Sequence, residues 1–123
     1  MSEFVEVCWF VYGIRVGKTF FGYKVFHSRG KTASVEFSWE KAMNPLLIGW
    51  VHTHGPFGFY PSERDNATMR SWVRAKNRPM ICGISCDGII VWYDYFRNKD
   101  LSIGNHPMRV TEENGFVFGT RYL

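Results

Sequence analysis

Only three cysteines occur in the 123 residues, Cys8, Cys82 and Cys86. An odd, small number argues against a disulfide framework and for a reducing compartment, with each thiol a small buried hydrophobe. The chain also lacks a long apolar run. Its longest stretch free of Lys, Arg, Asp and Glu, Ala42 to Ser62, holds Asn44, Pro45, His52, His54 and Pro56, which excludes a helical membrane span. Glu3 and Glu6 precede any basic residue, so no secretion signal is expected and a cytoplasmic location is. There is no internal repeat and no low-complexity tract. Charged residues make up 21% and hydrophobic ones 46%, a globular balance for one domain over residues 1–123. Aromatic residues are abundant, at 18%, and can fill a sizeable core. A net charge of +4 favours acidic partners without choosing among them.

Hydrophobic patterning predicts strands at Phe4–Tyr12, ending at Gly13, at Lys18–Phe26, interrupted by Gly22, at Thr32–Phe37, and at Leu46–Val51. Thr53 to Pro61 is rich in Gly and Pro and reads as a loop. Met69, Trp72 and Val73 lie at helical spacing and place one face of a helix over Ser62 to Lys76. Met80–Ser85 and Ile89–Phe96 read as a hairpin turning at Cys86-Asp87-Gly88, with a final hairpin around Asn114-Gly115. The expectation is an α/β (α+β) domain, a mixed sheet with packed helices.

Chemistry concentrates in the segment that starts at His52 and ends at Asp65. Side chains alternate along a strand, so His52 and His54 point the same way and two imidazoles can converge on one ion. Continuing the helix stripe back from Val73, Trp72 and Met69 reaches Asp65 and Ser62. A core-facing carboxylate needs a partner. Two imidazoles and one carboxylate suit a single Zn²⁺ with water at an open fourth position. The same residues also read as a plain helix start, with Ser62 as N-cap and an acid three places on. Glu6 sits between Val5 and Val7 in an apolar strand, where burial and a nearby cation would act on it in opposite directions. Such a carboxylate suits general-base work. Its other reading is a solvated strand start.

These residues resemble the JAMM signature of the JAB/MPN metalloprotease family: His-x-His, seven residues, then Ser-x-x-Asp, here His52, His54, Ser62 and Asp65. Glu6-Val7-Cys8-Trp9-Phe10-Val11-Tyr12-Gly13 is similar to the family's upstream Glu-x-Cys-Gly-x-Leu-x-Gly pattern, with Trp9 in place of the first glycine. Glu3, Glu36 and Glu40 are rivals for the upstream glutamate, and none opens that pattern. The resemblance implies the JAB/MPN (cytidine-deaminase-like) architecture, a curved mixed sheet with packed helices and a zinc site between a strand end and a helix N-terminus. It implies one Zn²⁺ per chain on His52, His54 and Asp65, Glu6 as general base, and Ser62 as oxyanion donor. It also implies hydrolysis of the peptide or isopeptide bond after the C-terminal tail of ubiquitin or a ubiquitin-like protein, with the tail lying as an added strand. Phe57-Gly58-Phe59-Tyr60 would either wall that channel or simply pack.

Other readings keep the chemistry and change the substrate: trimming of a ubiquitin-like sulfur carrier, or a phage-tail-type peptidase. Two further readings are not enzymatic. One is an MPN scaffold. The other is a basic nucleic-acid module using Arg64, Arg70, Arg74, Lys76 and Arg78, against which stands an ordinary solvated helix face. No nucleic acid and no membrane are expected as partners. His27 and His106 read as surface or packing residues.

Overall fold

The computed structural model describes residues 6–30, 43–54 and 58–121. Seven strands and one helix occur among them: β1 Glu6–Val16, β2 Thr19–Gly30, β3 Leu47–Thr53, α1 Glu63–Lys76, β4 Met80–Cys86, β5 Ile89–Arg97, β6 Ile103–Glu113 and β7 Phe116–Arg121. The strands close into a barrel in the order β1-β2-β7-β6-β5-β4-β3. All neighbouring pairs are antiparallel except β3 and β4, which run parallel and are joined through α1.

This architecture overturns the expected α/β (α+β) sheet with packed helices and the JAB/MPN (cytidine-deaminase-like) architecture. The cause is the C-terminal half-barrel. β6 and β7 form the hairpin at Asn114-Gly115, and β7 then pairs with β2 from Thr19↔Thr120 to Tyr23↔Phe116. That pairing closes the sheet on itself, so most of its outer surface needs no covering helix. Gly13 does not end the first strand either. It faces Gly22 across the pair, and a Cβ there would lie 1.9 Å from the Phe21 carbonyl oxygen. The glycine allows close approach at a bend of the barrel. The expected strand at Thr32–Phe37 lies outside the described residues.

Two apolar layers result. Every strand contributes to the barrel interior: Val11, Phe20, Ile48 and Val51, Ile81, Trp92, Met108 and Val117. Charged groups close its two ends, Lys24 with Glu112 at one and Arg15, Arg121 and Asp94 at the other. A second layer lies between α1 and β1, β3, β4 and β5, and includes Phe10, Trp50, Met69, Trp72, Val73 and Tyr95. Burying an aliphatic or aromatic side chain of this kind contributes roughly 1.5–3 kcal/mol. Not all the aromatics serve the core: Phe21 packs on Phe118 and Tyr23 on Phe116 on the outer surface, all four exposed.

α1 forms where its apolar stripe predicts. Ser62 caps it and Asn77 ends it in the left-handed region, φ 52°. The two hairpin turns expected from sequence, Asp87-Gly88 and Asn114-Gly115, have positive φ at both central residues, as type I′ turns require. β3 carries a register shift opposite Val11 and Tyr12, which skips Ile48 and leaves Leu47, Trp50 and His52 on the helix side. Gly49 lets β4 lie close, since a Cβ there would sit 2.1 Å from the Ile81 carbonyl oxygen. No helix among the described residues is long and apolar enough to cross a membrane.

Candidate metal centre

The parallel β3–α1–β4 unit builds the site. Its two strands end on one edge of the barrel, and α1 starts above that edge, as crossover units do. β3 delivers His52, paired across to Cys8 of β1 and to Ile84 of β4. His54 follows, its backbone N–H donating to the Ser85 carbonyl at 2.9 Å. The Val7 N–H donates to Thr53 Oγ1 at 2.8 Å, which fixes the first residues of β1 against the end of β3 and so places Glu6. Asp65 is the third residue of α1 and is buried.

The four side chains named from sequence as ligands and base meet here. One ligand atom from each of His52, His54 and Asp65 lies within 4.8 Å of the others. Asp65 Oδ1 is 2.9 Å from His52 Nε2, and its Oδ2 is 2.9 Å from His54 Nε2. The two imidazole centroids are 4.9 Å apart. Glu6 is buried, with Oε1 3.3 Å from His52 Nδ1, while its Oε2 has no hydrogen-bond partner. Glu3, Glu36 and Glu40 lie outside the described residues. Ser62 is exposed at the rim, with its Oγ accepting from the Asp65 N–H at 3.1 Å. The helix-start reading and the ligand reading therefore apply to the same two residues.

Protonation follows from the contacts. Burial would push the His52 imidazolium down, but Asp65, then Cys82 and Glu6, hold it up to about 12. Burial would raise Asp65, yet His52 and the Ser62 backbone N–H bring it down to about 2. Burial pushes the Cys8 and Cys82 thiols up, so neither supplies a thiolate.

The donor set fits a zinc ion on three observations. It has two nitrogens and one carboxylate, a combination suited to Zn²⁺. Both His52 nitrogens are buried with no aligned hydrogen-bond partner despite the nearby carboxylates. At His54, Nδ1 lies 3.2 Å from the Gly58 carbonyl, which can only accept, so Nδ1 carries the proton. Its Nε2 then faces Asp65 Oδ2 at 2.9 Å, a contact that needs a second proton or a cation between them.

Thr53, Cys82 and Trp50 were not singled out by sequence as parts of this site, and Gly58 only within the loop that would wall the channel or pack. The Trp50 ring lies 4.5 Å from the His52 ring, centroid to centroid. Gly58 acts through its carbonyl, for which no side-chain pattern exists. Its φ of 89° is the one trace a glycine in that loop could leave. Phe57 lies outside the described residues, Phe59 is half-buried, and Tyr60 is 82% exposed. The helix cluster proposed as a nucleic-acid face is partly committed elsewhere: Lys76 Nζ donates to the Asn44 carbonyl at 2.7 Å and Arg78 donates to the Pro45 carbonyl.

No protein-family model matches the chain, and no curated protein matches it either.

Proposed function

We propose that this protein is a zinc metallopeptidase of JAMM-type chemistry, hydrolysing a peptide or isopeptide bond with Glu6 as general base. One observation carries the reading: a buried carboxylate with an unpartnered oxygen, Glu6, stands 3.3 Å from a histidine that shares a candidate metal position with His54 and Asp65. Structural metal sites close all four positions with protein ligands, whereas three ligands beside a free carboxylate suit hydrolysis.

His52, His54 and Asp65 would hold the ion. When bound, zinc supplies Lewis acidity, lowering the pKa of a water and polarising a carbonyl. Glu6 accepts the proton of the attacking water and returns it to the leaving amine. Ser62 Oγ spends one lone pair on the Asp65 N–H, so its own proton stays available for an oxyanion. Asp65, tied to the Ser62 N–H at 2.9 Å, keeps both imidazoles on one side.

The substrate class rests on the motif. A C-terminal tail of ubiquitin or a ubiquitin-like protein, sulfur carriers included, is the first to test. Barrel closure changes how such a tail can dock. Each strand pairs on both sides, so strand addition would need an overhang, such as Val25–Gly30 of β2 beyond its last pairing with β7 at Tyr23.

The test combines metal analysis with cleavage of a panel of ubiquitin-like C-terminal fusions. One zinc per chain and cleavage are expected. Glu6→Gln should keep the zinc and lose turnover by roughly 10²–10⁴-fold, whereas His52→Ala should lose both. Normal cleavage by Glu6→Gln would remove Glu6 from the role of base. A chain that binds no zinc when refolded with it would sink the whole reading.

A further inference from the structure

At the end of the barrel remote from His52, a cavity of about 240 Å³ opens where α1 ends against β5 and β7. Three guanidiniums, Arg78, Arg97 and Arg121, line it with Asn77 and Phe96, and no acidic side chain is among its lining residues within the described part of the chain. Arg121 is held rigidly. Its Nε donates to Asp94 Oδ2 at 2.6 Å, and its guanidinium carbon lies 3.7 Å from the Phe96 ring centroid. That carboxylate oxygen is already taken by Arg15 Nη2, also at 2.6 Å. One buried anion therefore serves two cations. Arg97 Nη1 donates to Asn77 Oδ1 at 3.3 Å. Arg78 spends Nη2 on the Pro45 carbonyl, and its buried Nε–H has no partner. The positive field is felt nearby: burial, then the charge of Arg78, hold the Lys76 ammonium down to about 8.

We propose that this cavity binds a phosphate dianion, free or as the phosphomonoester end of a small molecule. With the carboxylate behind Arg121 shared with Arg15, at least two positive charges on the cavity wall have no compensating carboxylate among the described residues, which matches a dianion better than a monocarboxylate. Guanidinium forks suit phosphate oxygens, and the lone Arg78 Nε–H needs an acceptor. The carbonyl end of α1 opposes an anion there, a weaker effect than three guanidiniums. The volume holds one phosphoryl group with a little of its carrier, not a polymer. The site is independent of the metal centre: the fourteen residues of α1 separate them by roughly 21 Å.

The test uses the full chain stripped of metal with EDTA, so that phosphate cannot act at a bound ion. Inorganic phosphate, phosphoserine and acetate are titrated at constant ionic strength, read by thermal melting and by amide NMR shifts. Saturable phosphate binding with Kd below about 1 mM is expected, with shifts centred on Asn77, Arg78, Arg97 and Arg121. Phosphoserine should bind similarly and acetate should not. Arg97 is exposed and does not touch Asp94, so Arg97→Ala, checked for native circular dichroism, should weaken binding roughly tenfold or more, and Arg97→Lys less. A melting shift no larger than chloride gives, binding unchanged in Arg97→Ala with shifts elsewhere, or acetate binding as well as phosphate would each overturn the assignment.

Discussion

Ser62 and Asp65 satisfy each other. The Ser62 N–H donates to Asp65 Oδ2 at 2.9 Å, and the Asp65 N–H donates to Ser62 Oγ at 3.1 Å. The box that starts α1 is thus also the bracket that holds the candidate ligand carboxylate between two imidazoles. The two roles of Ser62 can be separated by substitution. Ser62→Ala should cost about 1 kcal/mol in urea unfolding through the lost cap, whereas Ser62→Gly should cost only a few tenths. Both remove the hydroxyl, so both should lower kcat by a similar factor, on the order of 10²–10³. Were Ser62→Gly to keep full turnover, the hydroxyl would be a cap and nothing more.

Asp94 is fully buried in the barrel, with Arg15 from β1 and Arg121 from β7 on one oxygen. It joins three strands at one end of the interior, close to where β7 closes onto β2. Replacing it strands two largely buried guanidiniums, an outcome that costs about 3–5 kcal/mol in comparable buried pairs. Asp94→Ala should therefore unfold at much lower urea concentration than the parent, and Asp94→Ala/Arg15→Met should recover part of the loss. Equal stability of Asp94→Ala and the parent would show that water compensates these arginines.

Much of the site was legible because its signals are local. His52 and His54 stand two apart on one strand, Asp65 falls on the stripe of Met69, Trp72 and Val73, and Glu6 interrupts an apolar run. Asp87-Gly88 and Asn114-Gly115 announced their hairpins for the same reason. The barrel was not legible, because the pairing that closes it joins Thr19 to Thr120 across almost the whole chain. Nothing in either strand names its distant partner. β6 added to this: its inward and outward residues alternate from Gly104 to Thr111, but few of the inward ones are apolar, and Pro107 sits inside it. A family resemblance carried by a few residues at one strand end and one helix start says little about strands beyond Arg97.

Tyr93 bears on His54 at one remove. Its hydroxyl donates to the Phe59 carbonyl at 3.0 Å, which anchors the loop whose preceding carbonyl, at Gly58, meets His54 Nδ1. Tyr93→Phe removes that one oxygen and keeps the ring in the core. Zinc affinity, measured by competition with a chromophoric chelator, should fall roughly 10-fold, as outer partners of ligating histidines commonly give. Thermal stability without metal should fall by only about 1 kcal/mol. A loss of stability with unchanged zinc affinity would reduce Tyr93 to packing.

The buried His52–Asp65 pair sets opposite pH trends with and without metal. His52 is raised from 6.5 to about 12 in the folded chain, so its stabilisation is complete below pH 6.5 and declines as pH rises above that. Asp65 is lowered from 3.8 to about 2, so its stabilisation is complete above pH 3.8 and is lost as pH falls toward 2. The metal-free protein should therefore owe most to this pair between about pH 4 and 6.5, and its melting temperature should fall from pH 6.5 to 8. Zinc must displace the His52 proton, so the extra stability zinc confers should grow over that same interval. Melting curves with EDTA and with zinc, from pH 4.5 to 8, test both trends. A zinc-induced shift independent of pH would mean that His52 gives up no proton and is not a ligand.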